Sequence, residues 1–239
     1  AGGFVVSPLM VLAIGASDGL AVLATIMLVA SALSCWQHRK EVQRQLLQPL
    51  IAAALFGTAL GGLILWALVS SGAEAAIHYR LEIVVGALTL FYTVLIALRD
   101  KIEQGGPGRP PRWLETFGAG SIVGITQVVA NSGSPLLTLF FLRFGIHKDR
   151  FVAAQAFYLA VQNLAKLAPL ILLGILHLGN ASTAVLLLPL LVLGGWVGAR
   201  VYQNCSEGFL FRLYTACLVL GCVASFLLIW GRDKLFGLL

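Results

Sequence analysis

The sequence predicts an all-α, polytopic membrane protein made of two inverted five-element repeats, with short broken helices near the midplane. Three observations carry that expectation. Of 239 residues, 59% are apolar and 11% charged, against about 45–50% and 25% in an average soluble domain. Apolar runs bounded by charge or turn residues divide the chain into nine elements. A Gly- and Pro-rich stretch near the middle separates two halves that share short motifs in the same order. With 16 basic and 10 acidic groups, the chain is too poorly charged to wet a compact surface, so lipid is the expected solvent. A span takes about 20 apolar residues, which leaves no room for a sizeable soluble domain.

The runs fall at 4–15, 19–36, 46–70, 81–98, 114–131, 134–144, 151–178, 182–203 and 209–230. Two are too short to cross a bilayer: 4–15 and 134–144 rise only about 16–18 Å as helix. Each carries a Ser-Pro near its start, Ser7-Pro8 and Ser134-Pro135, and both read as half-helices. Residues 102–113 form the linker, giving an N-terminal repeat at 1–101 and a C-terminal repeat at 114–239. The matches across it are Ser7-Pro8-Leu9 with Ser134-Pro135-Leu136, Gly57 and Gly61 with Gly194 and Gly198, Arg80-Leu81 with Arg212-Leu213, and Arg99-Asp100-Lys101 with Arg232-Asp233-Lys234. The second half has five elements and the first has four, so a partner of 114–131 is expected upstream of Ala1. No signal peptide is read in the opening Ala1-Gly2-Gly3. An odd number of elements per half gives the halves opposite orientations.

Charge placement agrees with that topology. If the loop at 36–45 is cytoplasmic, alternation puts the loops near 99–113, 143–150 and 200–212 on the same side. Twelve of the 16 basic residues then lie there, as the positive-inside rule requires. This holds whether 114–144 crosses twice or re-enters as a hairpin. The net charge of +6 is therefore topological. No basic run exceeds two residues, and no nucleic-acid partner is expected.

One basic residue belongs to neither face. Lys166 lies inside the run 151–178, twelve residues from its far end. A mid-bilayer charge costs about 2.5–3.5 kcal/mol on insertion scales, so it should face the protein interior or a watery cavity. At 100° per residue, Gln155, Tyr158, Gln162 and Lys166 fall within about 80° of one another, with Asn163 beside them. Such a face serves either as interhelical hydrogen-bonding glue or as a substrate path. Pro169 should kink or break the helix beside Lys166. A second candidate is the turn Asn131-Ser132-Gly133-Ser134-Pro135. Ser134 suits an N-cap and Pro135 the first helical position, leaving amides and a positive dipole end for an anion. Gly3 to Pro8, with Gly3 and Ser7, would supply the matching end from the first half. All ten acids are expected in loops or at helix ends, with none available inside as a proton or sodium relay. Every interior candidate is thus positive or neutral, and the bound species should be a small anion.

The remaining features are plainer. Cys35, Cys205, Cys217 and Cys222 have no metal-ligand spacing. The small-residue pairs at Gly57, Gly120 and Gly194 allow close helix packing. No phosphate loop, metal cluster or nucleophile with a base is present, so neither a cofactor nor an enzymatic activity is expected.

The residues Gly2-Gly3-Phe4 to Ser7-Pro8-Leu9 with Ala21, Ala24 and Thr25, repeated as Gly120 and Gly124 to Ser134-Pro135-Leu136 with Ala153 and Ala156, resemble the sulfite exporter TauE/SafE family of membrane anion permeases. The likeness spans essentially the whole chain. It implies transport of sulfite, sulfonates or related sulfur oxyanions across the cytoplasmic membrane, usually outward. The chain departs from the family in its second turn, where Thr126-Gln127-Val128-Val129-Ala130-Asn131 replaces a Gly cluster. Gln127 and Asn131 then act either as specificity determinants or as packing replacements. The expected site comprises Lys166, Gln162, Asn163, Gln155, Tyr158, Asn131, Ser132, Ser134, Gln127, Gly3 and Ser7. A conductive anion channel and a non-transporting membrane scaffold are the alternatives, and a homo-oligomer fits any of the three.

Overall fold

The computed structural model describes residues 2–40, 44–70, 74–97, 109–144 and 148–204, with isolated helical positions at 216, 220 and 223. Among the described residues the chain is all helix, with no strand. The elements are α1 (Gly2–Ile14), α2 (Ala16–Gln37), α3 (Arg44–Ser70), α4 (Glu74–Ala97), α5 (Trp113–Ala130), α6 (Ser134–Arg143), α7 (Lys148–Leu172) and α8 (Leu178–Asn204). Apart from those three positions the ninth run, 209–230, lies outside the described residues, as do most of the linker and the cysteines beyond Cys35.

Large apolar side chains lie on the outside and several polar ones within. Leu63, Trp66, Leu186, Leu190, Leu193 and Trp196 are exposed, while Ser7, Gln127, Ser132, Gln162, Asn163 and Lys166 are buried. In water that arrangement would leave apolar patches far larger than a soluble monomer carries; in lipid it is the favourable one. Three helical segments, Ala16–Gln37, Leu47–Ser70 and Leu178–Val197, are long and apolar enough to cross a bilayer. The chain is a membrane protein by these helices.

As expected, α1 and α6 are short, at 13 and 10 residues, about 20 and 15 Å. Gly15, at φ 89°, separates α1 from α2, a conformation that favours glycine. Helix α1 begins earlier than the Ser-Pro motif implied, so Gly3 to Pro8 lies within the helix and Pro8 is internal. Of the end anticipated over Gly3 to Pro8, Gly3 stands in the first turn, whereas Ser7 and Pro8 lie inside the helix. Of the kink or break expected at Pro169, helix α7 shows no break. It runs unbroken through Pro169 to Leu172, and the interruption comes at Gly174, φ +68°. There the Gly174 and Ile175 amides donate to the Ile171 and Leu170 carbonyls, each at 3.0 Å, a Schellman turn in which glycine takes the left-handed position. Lys166 is thus six residues, about 9 Å, from the end of its helix.

Helix α3 packs most extensively on α5, because glycines face each other. A Cβ on Gly57 would strike the Ser121 carbonyl and come within 3.0 Å of Gly124 Cα. One on Gly61 would lie 2.9 Å from Val128 Cβ, and one on Gly120 2.7 Å from Ala53 Cβ. Close backbone approach of this kind replaces the hydrophobic drive that lipid removes. No described residue approaches Gly194 or Gly195. One apolar cluster joins Val11, Leu20, Leu65, Leu81, Val128 and Leu170 across α1 to α5 and α7. A second joins Leu50, Val123, Leu137, Phe141, Ala154 and Tyr158 at the other end of α3 and α7.

The start of α5 is fixed by charge. Arg109 grips the Glu115 carboxylate with two bonds of 2.7 and 2.9 Å, and the Arg112 amide donates to it at 2.8 Å. The Arg109 bond, then that amide, hold the Glu115 carboxyl down at about 2, far below the usual range. One acid departs from the expected placement. Helix α4 starts at Glu74, seven residues before the apolar run, so Glu82 lies in its third turn and is buried. The interior holds a carboxylate after all.

Candidate functional site

Helix α5 ends in a turn folded back on itself. Asn131 adopts the left-handed conformation (φ 53°), and its amide donates to the Gln127 carbonyl at 3.1 Å, the position where Asn substitutes for glycine at a helix C-terminus. The Gln127 side chain closes the turn from within: Oε1 accepts the Gly133 amide at 2.8 Å, and Nε2 donates to Asn131 Oδ1 at 3.0 Å. Gly133 is required by space, since a Cβ there would strike the Val123 carbonyl and lie 2.8 Å from Thr126 Oγ1. From the first half, Ser7 Oγ donates to the Ala130 carbonyl at 2.7 Å, satisfying one of the free acceptors at the helix end.

Lys166 reaches this turn from α7. It is 1% exposed, and Nζ donates to Asn131 Oδ1 at 2.6 Å. Among the described residues no carboxylate lies within ion-pairing distance of it. A buried ammonium whose partner is a neutral amide has its charge uncompensated, which is costly unless an anion completes the site. Nearby polar atoms are also unsatisfied: Asn131 Nδ2, Ser132 Oγ and both amide atoms of Gln162 are buried without a hydrogen-bond partner. Buried polar groups normally find partners, and such exceptions cluster where a ligand or water belongs.

The structure thus brings Lys166, Asn131, Gln127 and Ser7 to the α5–α6 turn, where Ser132 belongs, with Gln162 one helical turn before Lys166. Other expected members go elsewhere. Tyr158 is fully buried in the second apolar cluster and donates to the Gly120 carbonyl at 2.5 Å, which makes it an α7–α5 packing group. Gln155, Asn163 and Ser134, together with Gln127, line a cavity of about 250 Å³ between α2, the α5–α6 turn and α7. Gln155 donates to Thr138 Oγ1 at 3.3 Å. Asn163 donates to Ser31 Oγ at 3.1 Å and to the Met27 carbonyl at 3.2 Å, and its Oδ1 has no partner. Ser134 falls inside α6, so Gly133 precedes the helix in its place. Gly3 sits in the first turn of α1.

The cavity also contains residues that sequence reasoning passed over. Met27, Ala30, Ser31 and Ser34 of α2 line it. They stand at i, i+3, i+4 and i+7, one face of a helix, and a small, partly polar face in an apolar helix was the available signal.

The sulfite exporter TauE/SafE family model matches residues 1–226. The chain belongs to the sulfite exporter TauE/SafE family. No curated protein and no solved structure gives a significant match. The TauE/SafE match spans α1 to α8, so all the site residues above lie within it. Members are membrane transporters of sulfite and related sulfur anions, and the apolar helices here agree with that class. Among the described residues no three His, Cys, Asp or Glu side chains cluster as metal ligands.

Proposed function

We propose that this TauE/SafE member exports sulfite or a related sulfur oxyanion across the cytoplasmic membrane, holding it beside Lys166 between two inverted halves. The observation that carries the reading is the fully buried Lys166, bonded to a neutral amide and surrounded by donors without partners. An oxyanion there would accept from the lysine, Asn131 Nδ2, Ser132 Oγ and Gln162 Nε2, exchanging lost hydration for charge-assisted hydrogen bonds. The short helices α1 and α6 support the two-half arrangement, because each carries a Ser-Pro-Leu motif and Ser7 of α1 reaches the α5 end that leads into α6. With the cell interior negative, an exiting anion gains about 2.3 kcal/mol per charge per 100 mV, so export needs no coupled cation. Glu82 makes proton coupling chemically available as well.

The test is flux from proteoliposomes containing the purified full chain, loaded in turn with sulfite, sulfate, thiosulfate and small sulfonates. Saturable sulfite efflux with counterflow supports a transporter. Non-saturating flux without counterflow would make it a channel, and absence of flux for every anion would favour the scaffold reading.

A further inference from the structure

We propose that the α2–α7 cavity is the vestibule by which the oxyanion reaches Lys166 from the face bearing the basic loops, with Ser34 near its mouth and Ser31, bonded to Asn163, at its floor as hydrogen-bonding stations. This rests on the reading of Lys166 as the counter-charge. The cavity's direction follows from its lining. Ser34 is three residues before the end of α2 at Gln37, where Arg39 and Lys40 follow; Val152 is four residues after α7 begins at Lys148. Both are thus about 4.5–6 Å from the helix ends on that face, whereas Asn163 lies about 22 Å along α7. The space therefore extends from near those helix ends to a deep floor.

At the floor stands Gln127, which lines the cavity and also donates to the Asn131 oxygen that holds Lys166. Lys166 is three residues beyond Asn163 on the same helix. An anion at the floor would therefore meet the lysine by displacing a single amide. A volume of about 250 Å³ holds roughly eight waters at 30 Å³ each, enough for a four- or five-atom oxyanion with part of its hydration. The residues that line the cavity are all neutral. Ser31 at present donates to the Met27 carbonyl at 2.6 Å, and rotation about one bond would turn its proton toward an anion. Weak neutral sites admit an ion without trapping it, which conduction demands.

Among the described residues the opposite side of Lys166 is packed with apolar side chains. Val11, Ala16, Leu20, Leu81, Leu170 and Ile175 pack there as one apolar cluster. Toward the same end, Asn180 donates to Asp18 Oδ1 at 3.4 Å, and His177 Nε2 lies 3.8 Å from that oxygen. These contacts tie α2 to the start of α8. Among the described residues access is thus one-sided.

The experiment uses a chain with Cys35, Cys205, Cys217 and Cys222 replaced by alanine, carrying Ser31→Cys, Ser34→Cys or, as the opposite-face control, Asp18→Cys. Right-side-out and inside-out membrane vesicles are treated with a membrane-impermeant anionic maleimide, washed, and assayed for sulfite flux. Labelling of positions 31 and 34 at least tenfold faster in inside-out vesicles, with loss of flux on labelling, is expected. Equal labelling from both faces, no labelling, or labelling that leaves flux intact overturns the vestibule. If the cysteine-free chain does not fold, Ser34→Trp in the native background should reduce flux at least tenfold in a folded protein; unchanged flux overturns the proposal. Loss of the Lys166 reading shows separately, as Lys166→Gln vesicles that transport normally.

Discussion

Replacing Lys166 by glutamine removes one charge from the interior while leaving an N–H donor of similar reach for Asn131. An oxyanion seated about 4 Å from the ammonium gains roughly 4 kcal/mol at an effective dielectric constant of 20. At about 1.4 kcal/mol per decade that is close to a thousandfold in affinity. Counting only one lost charge-assisted hydrogen bond, about 1.5–3 kcal/mol, gives a lower bound near tenfold. Equilibrium binding of radiolabelled sulfite to the purified protein should therefore weaken between 10- and 1000-fold in Lys166→Gln, and Lys166→Arg should retain most of the binding. Stability should move the other way. Deleting a buried charge bonded only to Asn131 should leave the thermal midpoint unchanged or raised, since the uncompensated ion is a cost to the fold. Affinity within threefold of wild type would refute the site. A large fall in melting temperature with unchanged affinity would make Lys166 interhelical glue.

Three further outcomes follow from neighbouring contacts. Asn131→Asp puts a carboxylate where Oδ1 now lies 2.6 Å from Lys166 Nζ; aspartate tolerates the left-handed backbone, so sulfite binding should fall as in Lys166→Gln while the melting temperature holds, and tighter binding would contradict the electrostatic account. Gly133→Ala drives a methyl into the Val123 carbonyl and against Thr126 Oγ1, and thermal unfolding should register a loss of about 1–3 kcal/mol with reduced flux. At the far end of α5, Arg109 holds Glu115 down to about 2 from the usual 4.5. A depressed carboxyl contributes stability above its unfolded value that is lost as pH falls through its folded one. The small gap in melting temperature between wild type and Glu115→Gln should thus be full near neutrality and close between pH 4.5 and 2.

Much of this arrangement was legible from pattern. Lys166 stood out because a lone cation in a long apolar run has no bland placement, and the short elements were visible because a bilayer sets a minimum length. What escaped depended on distance in space. Ser31 and Ser34 are ordinary small residues until α7 is set against α2. Tyr158 shared a face with Lys166 by angle, but it is 12 Å away along the helix by rise, and there the Gly120 carbonyl of a close-packed helix claimed its hydroxyl. Glu82 was misplaced because Glu74, His78 and Arg80 made the first turns of α4 read as loop, whereas helix formation there tolerates polar residues at a membrane edge. Pro169 was expected to kink or break α7; no break occurs there, because the missing amide costs one bond, and the helix ended only where glycine supplied a left-handed residue.

The Schellman turn at Gly174 leaves only about six residues of helix beyond Lys166, against eighteen before it. If the vestibule is wet, it is electrically close to the cytoplasm, and the transmembrane field is compressed onto the short apolar plug on the other side. The anion would then travel most of its path at nearly constant potential. Nearly all of the roughly 2.3 kcal/mol per charge that 100 mV supplies would be delivered in the last step, from the lysine outward, so voltage would govern release far more than capture.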